Sequence, residues 1–185
     1  MSLPNYSPAS SRDSIVFGAR RPGYDASSPV SEREVQRWLS GAAALGVQRV
    51  VCLLDGAQLA HYGEAGTLLR AYERHFGPGR CVHVPVRDFS CPSPAQLQAV
   101  LEALRAAYAA NEPVVVHCSA GMGRTGVMLA AWLRSAYGLE AQAAVDEVVA
   151  TAESHGAHRA PWEASGVISA LARLEPLGLP QRFGA

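Results

Sequence analysis

Apolar positions along the chain cluster into short runs separated by longer stretches in which they recur every three or four residues. SIVFG at 14–18, VQRVVCLL at 47–54, CVHVPV at 81–86 and PVVVH at 113–117 read as strands. The last is apolar on both faces, which predicts a central strand covered from both sides. Between the strands, Ser31 and Glu34 form an S-x-x-E capping box that opens a helix running to about Leu45. A second helical stretch lies near 65–76. Ser93, Pro94 and Gln96 supply a cap, a first-turn proline and a box partner for a third helix, whose Leu97, Val100, Leu101, Leu104 and Tyr108 share one face. Further helices are predicted near 124–137, 140–153 and 161–174. Strands alternating with helices predict an α/β fold with a central, mainly parallel sheet of about four to five strands flanked by helices. Ligands of such sheets bind at the carboxyl ends of the strands.

Length and composition narrow the organisation. The chain has 185 residues, of which 49% are hydrophobic, enough for the core of one domain. Residues 1–13, polar and rich in Pro and Ser, read as a disordered arm, 14–174 as a single domain, and 175–185 as a tail with Pro176 and Pro180 as helix stops. The formal net charge is zero and the 16 basic residues are spread along the chain, so neither nucleic acid nor an anionic membrane is an expected partner. All of those residues are Arg and none is Lys, which with the abundance of Ala suggests a GC-rich, bacterial coding genome. No 18-residue apolar run and no basic-then-apolar leader is present, so a cytoplasmic location is expected. The oligomeric state is not legible.

Four cysteines, Cys52, Cys81, Cys91 and Cys118, show neither CxxC pairing nor metal-type spacing. Three read as small buried apolar residues. His155 and His158 lie three apart with no nearby third ligand, so no metal and no cofactor is expected. Trp38, Trp132 and most tyrosines are assigned to packing. The chemistry concentrates in VVVHCSAGMGRTG, residues 114–126, where Cys118 precedes Arg124 by six positions. Cys81 and Arg87 have the same spacing, but no glycine separates them and the intervening backbone reads as extended. After Cys118 come Ser119, Ala120, Gly121, Met122 and Gly123, small residues with two glycines that let the backbone curl and turn its N–H groups inward. That loop runs into a helix beginning near Arg124, so unpaired amides and the positive end of the helix dipole point at one spot. Such a cup holds a phosphate, favours a thiolate at Cys118, and lets Arg124 offer two parallel N–H groups to two phosphoryl oxygens.

HCSAGMGRTG resembles the active-site signature of the cysteine-based protein tyrosine phosphatases, His-Cys-x5-Arg-Ser/Thr, in a strand-to-helix context like that of the superfamily. VPVRDFSCPSP is similar to the acid loop of its dual-specificity members, and GAQLAHY loosely resembles the kinase-associated phosphatase branch. The resemblance covers roughly residues 14–174. It implies a cysteine-dependent phosphatase in which Cys118 attacks phosphorus to form a phosphocysteine, Arg124 and the loop amides hold the phosphoryl oxygens, and Thr125 gives its hydroxyl to the Cys118 sulfur. His117 would hold the loop through its ring. Asp88 would protonate the leaving group and then act as base for the hydrolytic water.

Within this family reading, Ser119 and Met122 stand where phosphoinositide-directed relatives tend to carry lysines, which favours a phosphorylated protein or peptide as substrate. The chain lacks the Asn-Arg-Tyr segment that deepens the pocket of tyrosine-specific enzymes, which implies a shallower, dual-specificity pocket. No glutamine lies between Gln142 and Gln181, so the water-positioning glutamine of many relatives has no counterpart, and His158, Arg159 and Glu163 occupy that neighbourhood in what reads as a surface turn. Arg20 and Arg21 read as a solvated turn that draws substrate to the rim only as an alternative. Cys52 or Cys91 could form a reversible disulfide with Cys118, against the alternative of inert buried thiols. Two rival functions stay open: a phosphatase for an inositol phosphate or lipid head group, and a phosphate-binding module without turnover.

Overall fold

The computed structural model describes residues 3–26, 28–64, 66–161 and 166–175. The elements run β1 (Ser7–Pro8), β2 (Val16–Ala19), α1 (Glu32–Ala44), β3 (Arg49–Cys52), α2 (Gly56–Leu59), α3 (Thr67–Phe76), β4 (Cys81–His83), α4 (Pro94–Ala110), β5 (Val114–His117), α5 (Gly123–Tyr137), α6 (Ala141–Ser154) and α7 (Val167–Ala172), with a 3₁₀ turn at Ala60–Tyr62. The sheet order is β1-β2-β5-β3-β4, and every pairing is parallel except β1 with β2. The expected fold class holds, with β5 in the middle of five strands. Pro176, Pro180 and the rest of the tail beyond 175 lie outside the described residues.

Both predicted capping boxes form: Ser31 accepts from the Glu34 N–H, Ser93 accepts from the Gln96 N–H, and each partner side chain returns to its cap's backbone. All four residues of β5 are buried, as a strand covered on both faces requires. Alternation along the strands divides the interior in two. Val51, Leu53, Val114, Val116 and Cys118 pack with α4, α5, α6 and α7, whereas Val50, Cys52, Leu54 and Val115 pack with α1 and α3. Strand β4 is shorter than its apolar run because Val84 and Val86 bond back to the Cys52 and Leu53 carbonyls as the chain bends out of the ladder.

The expected disordered arm is corrected. Leu3 is buried, Tyr6 stacks on Phe17 with ring centroids 5.0 Å apart, and Ser7–Pro8 pairs with β2. Asp13 is buried, accepting from the Ile15 and Val16 N–H groups at 2.8 and 2.9 Å and from the Trp132 indole and Tyr137 hydroxyl. A polar, proline-rich composition signals a lack of apolar surface to bury, but here polar side chains anchor the segment through buried hydrogen bonds.

Candidate active site

The segment after β5 builds a cup. Gly121 takes φ 73°, and a Cβ there would sit 2.4 Å from the Ala19 carbonyl oxygen, so only glycine lets the loop turn against β2. Met122 at the N-cap of α5 provides no side-chain cap, which leaves the first-turn amides open to a ligand. Cys118 and Arg124, both nearly fully buried, line one cavity of about 240 Å³ together with Ser119, Ala120, Met122 and Gly123. Asp88, Phe89, Ser90 and Tyr24 complete its walls.

Arg124 is fixed by its surroundings. Its Nη1 donates to the Val86 carbonyl at 2.7 Å, to Gln58 Oε1 at 2.9 Å and to the Leu53 carbonyl at 3.3 Å. Its Nη2 meets Asp88 Oδ1 at 3.0 Å, and its buried Nε has no partner among the described residues. The Nε/Nη2 edge of the guanidinium is therefore the one left to bind an anion, and the Asp88 carboxylate occupies half of it. Gln58 also donates through Nε2 to Asp88 Oδ2 at 2.9 Å, so one amide ties the acid to the arginine.

Among the residues expected from the sequence, Cys118, Arg124, Asp88, Ser119, Ala120, Met122 and Gly123 converge on this cavity. Gly121 shapes the loop from behind. His117 sits beneath, fully buried, with Nδ1 3.2 Å from the Cys118 carbonyl and Nε2 2.9 Å from the Tyr72 hydroxyl. A carbonyl only accepts, so Nδ1 carries the proton and Nε2 accepts from Tyr72. Burial pushes His117 down to about 4, against the raising effect of its bond to the Cys118 carbonyl, so the ring is neutral near pH 7. Thr125 is fully buried, but its Oγ1 has no hydrogen-bond partner among the described residues, so the expected bond to the Cys118 sulfur is not formed in this structure. A neutral thiol is a weak acceptor, and the hydroxyl gains a strong one only when the sulfur carries charge.

Several residues around the cup escaped the sequence reading. Arg21 is no solvated turn: it is buried, donating to Ser119 Oγ at 3.3 Å and to the Tyr62 hydroxyl at 3.1 Å, while its N–H bonds the Ser119 carbonyl at 3.1 Å. Asn5 donates to the Ala120 and Gly121 carbonyls at 2.9 and 3.3 Å, holding those oxygens outward so that the loop amides face in. The expected surface turn at AHRAPWEAS is also corrected, because Ala157, Arg159, Ala160 and Pro161 are buried; Glu163 lies outside the described residues. Gln58 stands three residues after Asp55, whose Oδ1 caps α2 by accepting from the Gln58 N–H at 2.9 Å, a spacing that signals the helix start but not the part the Gln58 side chain plays. All four cysteines are free thiols, and burial raises Cys52 to about 12. Among the described residues no group of three or more His, Cys, Asp or Glu side chains is placed to hold a metal, and no helix is long and apolar enough to cross a membrane.

A buried thiol at the floor of an amide-lined cup, beside a guanidinium whose Nε/Nη2 edge Asp88 half covers, on a mainly parallel five-stranded sheet, is the arrangement of a cysteine-dependent phosphatase of the protein tyrosine phosphatase superfamily, dual-specificity type. Residues 34–137, more than half of the chain, match the family model described as a polymorphic toxin system DSP-PTPase phosphatase, and the chain belongs to that family. Among solved structures it is similar to Tk-PTP in its active form, at 26% identity over 92% of this chain and 99% of that one, with a TM-score of 0.67. The fold is shared with a kinase associated phosphatase carrying serine at its catalytic-site cysteine, at 18% identity over 90% and 93% of the two chains and a TM-score of 0.69. PTPMT1 in complex with PI(5)P shares it too, at 16% identity over 90% and 94% and a TM-score of 0.65.

Proposed function

We propose that the protein hydrolyses phosphotyrosine, and in a shallow cup also phosphoserine or phosphothreonine, in a protein or peptide through a phosphocysteine intermediate. The observation that carries this reading is the convergence of Cys118, Arg124 and Asp88 on one small cavity whose mouth is aromatic and uncharged apart from Asp88 and Arg124. Phe89 is 89% exposed at that mouth and holds φ 54°, a conformation costly for a non-glycine residue and one that clusters at functional sites. Tyr24 and Met122 share the rim. Such a rim accepts an aryl ester better than a densely charged head group.

In the first step the Cys118 thiolate attacks phosphorus, a sulfur–phosphorus bond forms, and the phosphorus–ester oxygen bond breaks as the leaving oxygen takes the proton of Asp88. The loop amides and the Nε/Nη2 edge of Arg124 hold the three remaining oxygens. An incoming phosphoryl group takes over the edge of Arg124 that Asp88 now covers, which frees the carboxyl to face the leaving oxygen as general acid. In the second step Asp88 removes a proton from water, which attacks phosphorus and frees the thiolate. Thr125, with its unpartnered hydroxyl, then has a charged sulfur to stabilise, and neutral His117 holds the carbonyl of Cys118 in place.

The second reading, a phosphatase for an inositol phosphate or lipid head group, has the likeness to PTPMT1 bound to PI(5)P in its favour and the uncharged Ser119 and Met122 against it. A panel of phosphotyrosine, phosphoserine and phosphothreonine peptides beside soluble inositol phosphates and PI(5)P micelles tests the choice. Highest kcat/KM on the phosphotyrosine peptide is expected. A preference for the inositol compounds by tenfold or more, roughly 1.4 kcal/mol in transition-state binding, would move the assignment to the second reading.

A further inference from the structure

Among the described residues Arg159 is the most deeply buried arginine, with none of its surface exposed. It donates through Nη1 to the His158 carbonyl at 3.0 Å and through Nη2 to the Asn5 carbonyl at 3.0 Å and Ser7 Oγ at 3.1 Å, all neutral groups, and its buried Nε has no partner among the described residues. Among the described residues it forms no ion pair with a carboxylate. A buried cation without a counter-charge is strongly disfavoured unless an anion close by compensates it. Burial lowers Arg159 only to about 10, so the guanidinium is charged at neutral pH, and a negative charge on the Cys118 sulfur would act against that lowering.

The packing has left room for this cation. A Cβ on Gly18 would lie 2.7 Å from Arg159 Nη2 and 2.8 Å from Thr125 Cγ2, so the missing side chain at the end of β2 is what admits the guanidinium beside the first turn of α5. Asn5 accepts from Arg159 through its carbonyl and holds the Ala120 and Gly121 carbonyls through its amide, which connects the cation to the loop by two hydrogen bonds in series. We propose that Arg159 is a positioning residue that acts through Cys118: it is the buried counter-charge of the thiolate, placed behind the loop where substrate never touches it.

The other groups that bear on the sulfur are Arg124 and Asp88 at the cavity, Arg21 through Ser119, neutral His117 beneath it and the Cys52 thiol on the neighbouring strand. None of these groups bonds to Arg159. The inference rests on Cys118 being the reactive thiolate, and alkylation by iodoacetamide reads that directly without turnover. The reagent is uncharged, so its rate follows the thiolate fraction and not steering by the arginines.

In the full chain at about pH 6, with the Cys118 peptide followed by mass spectrometry, Arg159→Met is expected to cut the alkylation rate about tenfold, one decade in thiolate fraction. Arg159→Gln, which can still meet the Asn5 carbonyl, should lose a similar amount, and Arg159→Lys should stay within about threefold of the wild type because the charge remains. Asn5→Ala loosens the loop but keeps the cation, and should lower kcat/KM with less than a twofold change in alkylation. Wild-type rates from either uncharged variant, or a Lys variant as slow as the Gln variant, would overturn the role of Arg159. Should Met fail to fold, the Gln and Lys pair decides alone. A wild type that is not alkylated at this pH would instead refute Cys118 as the thiolate, a separate failure of the proposed function.

Discussion

His117 couples the architecture of the site to pH in a way that can be worked out in advance. Its ring is enclosed by Trp38 and Tyr72, each with a centroid 5.6 Å away, and its two nitrogens are committed to the Cys118 carbonyl and the Tyr72 hydroxyl. Burial holds it at about 4 in the folded protein, against the ordinary 6.5 of an unfolded chain. Because the folded state takes up the proton less readily, this residue's stabilising contribution is complete above about pH 6.5 and is lost progressively as pH falls toward about 4. Between about pH 7.5 and pH 5 the loss from this one ring is about 2 kcal/mol, and below the folded value it approaches about 3 kcal/mol. Urea unfolding followed by circular dichroism, on wild type beside His117→Asn, isolates the contribution, since carboxylates elsewhere titrate alike in both. The wild type should lose about 2 kcal/mol more than the variant over that interval. Parallel losses, agreeing within about 0.5 kcal/mol, would refute the buried neutral imidazole.

The remaining predictions concern the cavity. Asp88→Asn should slow an aryl phosphate with a poor leaving group by about 10²–10⁴-fold and one with a good leaving group far less, because only the former needs the proton; equal losses in kcat would place the acid elsewhere. Gln58→Glu sets a second carboxylate against Asp88 and should reduce kcat/KM about tenfold and weaken inhibition by inorganic phosphate, whereas unchanged values would deny the amide its bridging role. Tyr72→Phe leaves the buried Nε2 of His117 without a donor and should cost about 1–3 kcal/mol in urea unfolding, while a cost near zero would mean that the nitrogen had found another partner.

Local signals carried much of this site in the sequence. VVVH announced a central strand, the two glycines after Cys118 announced a curled loop, and S-x-x-E and S-P-x-Q announced helix starts, because each is fixed by backbone chemistry within a few residues. The groups that steady the cup were not legible for the opposite reason. Asn5, Arg21, Gln58, Tyr72 and Arg159 come from five separate segments, and nothing near Arg159 in sequence shows that Gly18 leaves space for its guanidinium. The polar N-terminal segment misled for a related reason: Asp13 looks like a loop residue until Trp132 and Tyr137 arrive from α5 to bond it. Composition reports what a segment can bury by itself, not which buried donors elsewhere need an acceptor.

The central claim is that Cys118 is a nucleophile in a cup otherwise built from backbone and Arg124. It is tested most directly by phosphate release from a phosphotyrosine peptide, with a metal chelator present, comparing reduced wild type with Cys118→Ser and measuring vanadate binding to both. Turnover by the wild type alone, with vanadate still bound by the variant, is the predicted result. Undiminished turnover by Cys118→Ser would contradict the account.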